Sequence, residues 1–260
     1  MKLKQKLRCW IDGRFGPMPK PDRWVFLVGC YNSGTTLLHD LLAGNPNVGS
    51  LHTEGQFLTD QLVLPKAVGL ARLWASQPEH FQMDESSDGG VSADKIKRQW
   101  GARFDDPNRP VLIEKSPTNA ARTRWLQRHF APASFIGIVR DGYAVAEGIH
   151  RKAGHTLEES AAQWARSNEI MLDDFEHLER KTIIRYEDLT ARPSEVLASA
   201  LDFLGLESYD EQVGEREFSV HEQTSKIRNM NERSMAALSQ ADQAVIDGIA
   251  GETLRRLGYS

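Results

Sequence analysis

The sequence predicts an α/β fold: a single three-layer domain with a central, mostly parallel sheet and helices on both faces. Three observations predict it. Short apolar runs at 24–29, 111–114, 134–139 and 181–186 alternate with amphipathic stretches, the order expected when helices cross over between parallel strands. The first run ends in glycine and passes through a polar turn, SGTT, straight into a leucine-rich helix. No repeat, low-complexity tract or linker divides the 260 residues, a length that one large core can fill. One domain over 1–260 is therefore expected, with 1–22 as an N-terminal extension.

The elements follow in order. Trp24–Gly29 reads as a buried strand, apolar and closed by glycine. The spacing of Leu37, Leu38, Leu41 and Leu42 predicts a helix over 34–42, stopped by Asn45-Pro46-Asn47. A weak second strand is expected at 48–52, broken helix over 57–85, and a turn at 86–90, SSDGG. A strand at 111–114 precedes a helix over 119–130, and SFIGIV at 134–139 is the clearest central strand after the first. Helices are expected over 142–152 and 156–178, the latter turning Trp164, Ile170, Met171 and Phe175 inward. KTIIRY at 181–186 is a further strand, and helices fill most of the rest. Trp125 and Trp164 sit among apolar neighbours at helical spacing and read as core.

Composition excludes several classes. Apolar residues make up 40% and charged residues 26%, ordinary globular values. A net charge of −4, from 32 basic and 36 acidic residues, speaks against a general nucleic-acid binder. No apolar stretch reaches the roughly 18 residues of a membrane span. The basic start MKLKQKLR runs into Cys9-Trp10-Ile11-Asp12 without the apolar run of a signal peptide. Two cysteines make no disulfide framework, so a reducing cytoplasm is the expected location. The eight histidines are scattered and no Cys/His cluster has zinc-like spacing, so no metal is expected.

The first strand-to-helix turn carries the chemistry. It lies where open α/β sheets bind ligands, beyond the carboxyl ends of the strands. Backbone N–H groups of Ser33, Gly34, Thr35 and Thr36 at a helix N-terminus favour an anion. Gly29 and Gly34 have the spacing of the nucleotide-triphosphate motif G-x-x-x-x-G-K-[ST], but Thr35 stands where the lysine belongs. A P-loop-like turn without its β,γ-phosphate cation suits a phosphate ligand other than a triphosphate.

At this point the chain resembles the sulfotransferases that use 3′-phosphoadenosine 5′-phosphosulfate (PAPS). GCYNSGTTLL resembles their 5′-phosphosulfate loop, IEKSPTNAAR at 113–122 their E-K-[ST]-P segment, and FIGIVRDGYAVAEGI at 135–149 their strand-Arg-Asp-helix element. RYEDL at 185–189 and LRRLGY at 254–259 resemble two further family segments. The five occur in family order over almost the whole chain. The resemblance implies a P-loop-like fold, PAPS as donor, adenosine 3′,5′-bisphosphate (PAP) as product, and no metal. A sulfuryl group carries less negative charge than a phosphoryl group, so hydroxyls and amides can serve where a metal clamp would otherwise be needed.

The resemblance also assigns residues. Arg140 would hold the 3′-phosphate, where a guanidinium can bind two oxygens. The serine that the family places eight residues later is here Gly148, and the basic residue it often places before SGTT is here Asn32. Lys115 corresponds to the family's active-site lysine and would supply the missing charge. Glu54, in LHTEGQFL, would be the general base, with His52 the rival. Tyr186 would lie near the adenine or support the loop, and Lys226 and Arg228 fall where the family often closes over the 3′-phosphate. Glu114 and Lys115, adjacent on a strand, should point to opposite faces.

The expected function is sulfuryl transfer to a hydroxyl or amine of a small-molecule or carbohydrate acceptor. An atypical small-molecule kinase using ATP and Mg²⁺ is the enzymatic alternative, and a non-catalytic nucleotide-binding homologue the other. The segments at 57–105 and 207–235 would select the acceptor.

Overall fold

The computed structural model describes residues 3–87, 90–209 and 223–259, and the strand 217–220, with the backbone alone over 217–220 and 223–226. Five parallel strands form the sheet: β1 (Arg23–Val28), β2 (Val48–Ser50), β3 (Val111–Lys115), β4 (Ala133–Val139) and β5 (Lys181–Arg185), in the order β2-β3-β1-β4-β5. The chain leaves β1 for one side of the sheet and returns to the other, so β1 marks the switch point where a ligand crevice opens. Alternation on β1 explains why both faces are covered. Trp24, Phe26 and Val28 join one buried cluster with Phe135, Ile170, Met171 and Phe175. Val25 and Leu27 join the other with Leu38, Leu41, Leu42, Leu197 and Leu201. The expected three-layer α/β fold is observed, and Trp125 and Trp164 are core.

The helices are α1 (Leu3–Phe15), α2 (Thr35–Ala43), α3 (Ala93–Gly101), α4 (Thr123–His129), α5 (Gly142–Ala153), α6 (Leu157–Phe175), α7 (Tyr186–Ala191), α8 (Pro193–Leu204), α9 (Asn231–Met235) and α10 (Gln240–Leu257). Several expectations are corrected. The stretch 57–85 holds only 3₁₀ turns, at Pro65–Val68, Trp74–Ser76 and Pro78–His80. Pro65 and Pro78 open two of them, and left-handed Gly69 and Arg72 prevent propagation. The helix expected over 119–130 is a 3₁₀ turn, Pro117–Ala121, followed by α4. Arg122, non-helical at φ −149° and ψ 25°, separates the two. The second strand stops at Ser50, and α6 stops at Phe175. The sequence reading missed α3, capped by Ser92, and a hairpin of β6 (Glu217–Val220) and β7 (Gln223–Lys226). Residues 88 and 89 of the expected turn lie outside the described residues.

Candidate active site

Parallel register brings the motifs to one edge. Leu27 of β1 stands opposite Lys115 of β3, and Val139 of β4 opposite Arg185 of β5. The turn after β1, the lysine ending β3, Arg140 after β4 and Tyr186 after β5 therefore surround the same carboxyl-terminal edge. A cavity of about 440 Å³ opens there. Asn32, Gly34, Thr35, Thr36, Glu54, Arg140, Gly148, Tyr186 and Arg228 all line it.

The turn depends on its glycine. Gly34 sits at φ 97°, and a Cβ there would lie 2.6 Å from Cδ2 of Tyr186. Tyr186 is thus the floor under the loop. Its hydroxyl donates to the Arg228 carbonyl (3.2 Å) and accepts from the Met230 amide (3.2 Å), fastening the segment beyond the hairpin to the loop. The first turn of α2 presents N–H groups that have no acceptor within the helix. The lysine that the loop lacks arrives from the adjacent strand. Lys115 Nζ donates to Thr36 Oγ1 (3.2 Å) and lies 3.6 Å from Glu54 Oε1. Glu54 is held from its other oxygen by Gln56 Nε2 at 2.5 Å. Base candidate, lysine and loop hydroxyl are therefore contiguous. His52 is exposed and does not line the cavity.

A second cluster gathers on Asn32. Arg140 Nη1 donates to the Asn32 carbonyl (2.7 Å), while Arg72 Nη1 (3.4 Å) and Lys152 Nζ (3.2 Å) both reach its Oδ1. Asn32 adopts φ 63°, which asparagine tolerates better than most residues. Gly148 makes room for it: a Cβ at 148 would lie 3.2 Å from Asn32 Nδ2. The two positions that differ from the family pattern are therefore in contact. Arg140 is buried, its guanidinium 4.1 Å from the Tyr186 ring centroid and its Nε donating to Asn231 Oδ1 (2.8 Å). Asn231 Nδ2 donates to Glu187 Oε1 (2.7 Å), which also accepts from the Asp141 amide. Asp141 caps α5 through the Ala144 amide, so it is not Arg140's ion-pair partner.

The cavity is strongly cationic in a chain of net charge −4. Arg72, Arg140, Arg151, Lys152, Arg228 and Arg233 line it, with Glu54 the one lining carboxylate among the described residues. Burial pushes the Lys152 pKa down, and Arg72, Arg151 and Arg140 add to the shift. Burial likewise lowers that of Arg140. Two buried polar atoms of the loop, Asn32 Nδ2 and Ser33 Oγ, have no hydrogen-bond partner within the described residues. Arg151 is paired with Glu147, but Arg72, Arg140 and Lys152 have no carboxylate partner among the described residues. These cations, the orphaned loop atoms and a glycine-lined cradle fit a ligand carrying phosphates at separated positions. Cys30, just ahead of the turn, is not a nucleophile candidate, since burial pushes its thiol up to about 11.

Behind the site, Glu114 points away from Lys115 as the strand period requires. It is fully buried and accepts from the Gly55 amide (2.8 Å), the Ser116 hydroxyl and Asn119 Nδ2. It thereby ties the Glu54 loop to the turn after β3. Burial raises its pKa to about 7, against the hydrogen bonds from Ser116 and Gly55. Sequence reasoning missed Glu114, Arg72, Lys152 and Asn231 as site components. A carboxylate within an apolar strand was a legible signal for Glu114, whereas Arg72 lies in a stretch without periodicity. Asp188 pairs with Arg192 on the surface, and the side chain of Lys226 lies outside the described residues.

Comparison with known proteins gives the family and the fold. A model of the sulfotransferase family matches residues 24–211. Protein-tyrosine sulfotransferase 2 of Gallus gallus is 26% identical over 196 residues, covering 70% of this chain and 51% of its own length. The chain spans about half the length of the curated relatives it matches first. Among solved structures, the sulfotransferase domain of the Synechococcus PCC 7002 olefin synthase superposes with a TM-score of 0.57 at 24% identity, covering 89% of this chain and 96% of that domain. A mouse sulfotransferase complexed with PAP superposes at 0.50 with 12% identity, covering 94% and 89%. These two likenesses concern the fold.

Proposed function

The chain belongs to the sulfotransferase family, and from that premise we propose that it transfers a sulfuryl group from PAPS to an acceptor hydroxyl. The observation that carries the proposal is the contiguity of Thr36, Lys115 and Glu54 beside the three cations gathered on Asn32. When bound, the donor supplies an electrophilic sulfuryl group on its 5′-phosphate. Amides of the turn, with the hydroxyls of Thr35 and Thr36, hold that phosphate. Arg140, with Arg72 and Lys152, holds the 3′-phosphate end, and Arg228 lines the margin beyond Tyr186. Glu54 removes the acceptor proton, and Lys115 neutralises charge on the leaving oxygen. Positioning and fixed charge supply most of the acceleration, as in other transfers between oxyanions.

The acceptor proposed first is a phenol. The relatives named as protein-tyrosine sulfotransferases support a tyrosyl peptide, ahead of the small-molecule or carbohydrate hydroxyl that the sequence suggested. The test is transfer of label from PAPS to a tyrosyl peptide, a phenol and a monosaccharide, with Glu54→Gln as control. Label on an acceptor that disappears in the variant supports the reading. Transfer from ATP with Mg²⁺ instead, or PAP binding with no transfer to any acceptor, supports the kinase or the non-catalytic alternative.

A further inference from the structure

The N-terminal helix carries a face that the transfer site does not use. We propose that α1 docks the protein onto an anionic phospholipid surface. Its inner side is fixed to the domain. Cys9 is buried, its carbonyl accepts from Gln99 Nε2 (2.8 Å), Gln5 Nε2 donates to the Phe57 carbonyl (2.7 Å), and Asp12 pairs with Arg103. Its outer side is apolar. Leu3, Leu7, Trp10, Ile11 and Phe15 are 84%, 58%, 56%, 43% and 70% exposed. They are half of the ten large apolar side chains exposed among the described residues. At about 100° per residue they fall within an arc of about 140°. Phe57, against which α1 lies, is exposed beside them.

Charge selects the occupant. Lys4, Lys6, Arg8 and Arg14 are exposed on the same helix, within or flanking the apolar arc, and its single acid, Asp12, is turned inward to Arg103. A second copy of the chain packed about a two-fold would oppose these cations with the same cations. Long basic side chains can instead lie along an apolar surface and reach lipid phosphates, while Trp10 and Phe15, in edge contact with ring centroids 6.5 Å apart, suit the headgroup boundary. Each cation near an anionic leaflet multiplies partitioning by about fivefold.

The experiment uses the full chain and its own fluorescence. The other five tryptophans, Trp24, Trp74, Trp100, Trp125 and Trp164, are at most 3% exposed, so acrylamide quenching reports Trp10. Phosphatidylcholine vesicles containing phosphatidylserine should shield Trp10 and shift its emission to the blue, and added salt should reverse both. Lys6→Gln with Arg8→Gln should lower partitioning by at least about tenfold, and Leu7→Gln with Ile11→Gln should abolish it. These changes lie on the exposed face, so unchanged thermal melts verify the fold, and the salt titration of the unaltered protein needs no variant. Equal shielding by pure phosphatidylcholine, no shielding at all, or shielding that follows protein concentration without vesicles would overturn the proposal, the last in favour of self-association.

Discussion

Glu54 and Lys115 form the pair on which turnover should depend most. Replacing a general base typically costs about 10² to 10⁴ in rate. Glu54→Gln should therefore lower kcat by at least about a hundredfold while leaving the PAP dissociation constant near that of the unaltered protein. Single-turnover kinetics and calorimetry separate the two effects, and unchanged kcat would remove Glu54 as the base. On the proposed reading, Arg72 and Lys152 should act on binding. Each is anchored on Asn32 Oδ1, and a charge-assisted bond is worth about 1.5–3 kcal/mol, so Arg72→Ala or Lys152→Ala should weaken PAP about tenfold or more. The loss should shrink at high salt, and affinity unmoved by either change would place both outside the ligand's reach. These residues show what the sequence could reveal. Thr36, Glu54, Lys115 and Arg140 sit in motifs, so their meeting was legible from order along the chain. Arg72 was not, because its partner is an asparagine side chain 40 residues away and its loop has no hydrophobic period.

At the scale of elements, the five strands of the parallel sheet were readable and 3₁₀ turns were not. An apolar run between glycines leaves few alternatives, whereas residues 57–85 offer apolar positions that proline and left-handed residues keep from forming a helix. The Ser92 cap of α3, with Ile96 and Trp100 buried one turn apart, was a signal present but unused. The turn after β1 is the element with the least freedom. Gly34→Ala must bear both a positive φ and a Cβ 2.6 Å from Tyr186, so PAP binding should be lost together with the Tyr186–Met230 contact. Retained affinity would show that the loop backbone is not the cradle. The long helix α6 depends on its start, where Thr156 and Glu159 form a reciprocal cap. Thr156→Ala should cost about 1 kcal/mol, visible as a thermal midpoint lower by about 2–4 °C.

On the scale of the whole molecule, one buried carboxylate links stability to pH. Glu114 has its pKa raised from 4.5 to about 7. Between those values the folded state holds a proton that the unfolded chain has released, so the stabilisation is complete below 4.5 and is lost as pH rises through 7. The change is on the order of 3 kcal/mol. Glu114→Gln keeps the neutral form at all pH, and its melting temperature should show a shallower fall than the unaltered protein across this window. Equal slopes would mean that Glu114 is ionised throughout. The five-strand order is what makes the site a consequence of the fold: β1 between β3 and β4 delivers the loop, Lys115 and Arg140 to a single edge. The most direct test of that account is calorimetric titration with PAP, alongside ATP with Mg²⁺. PAP should bind without metal, and Arg140→Ala should weaken it at least about tenfold. Preference for ATP with Mg²⁺, or PAP affinity indifferent to Arg140, would contradict it.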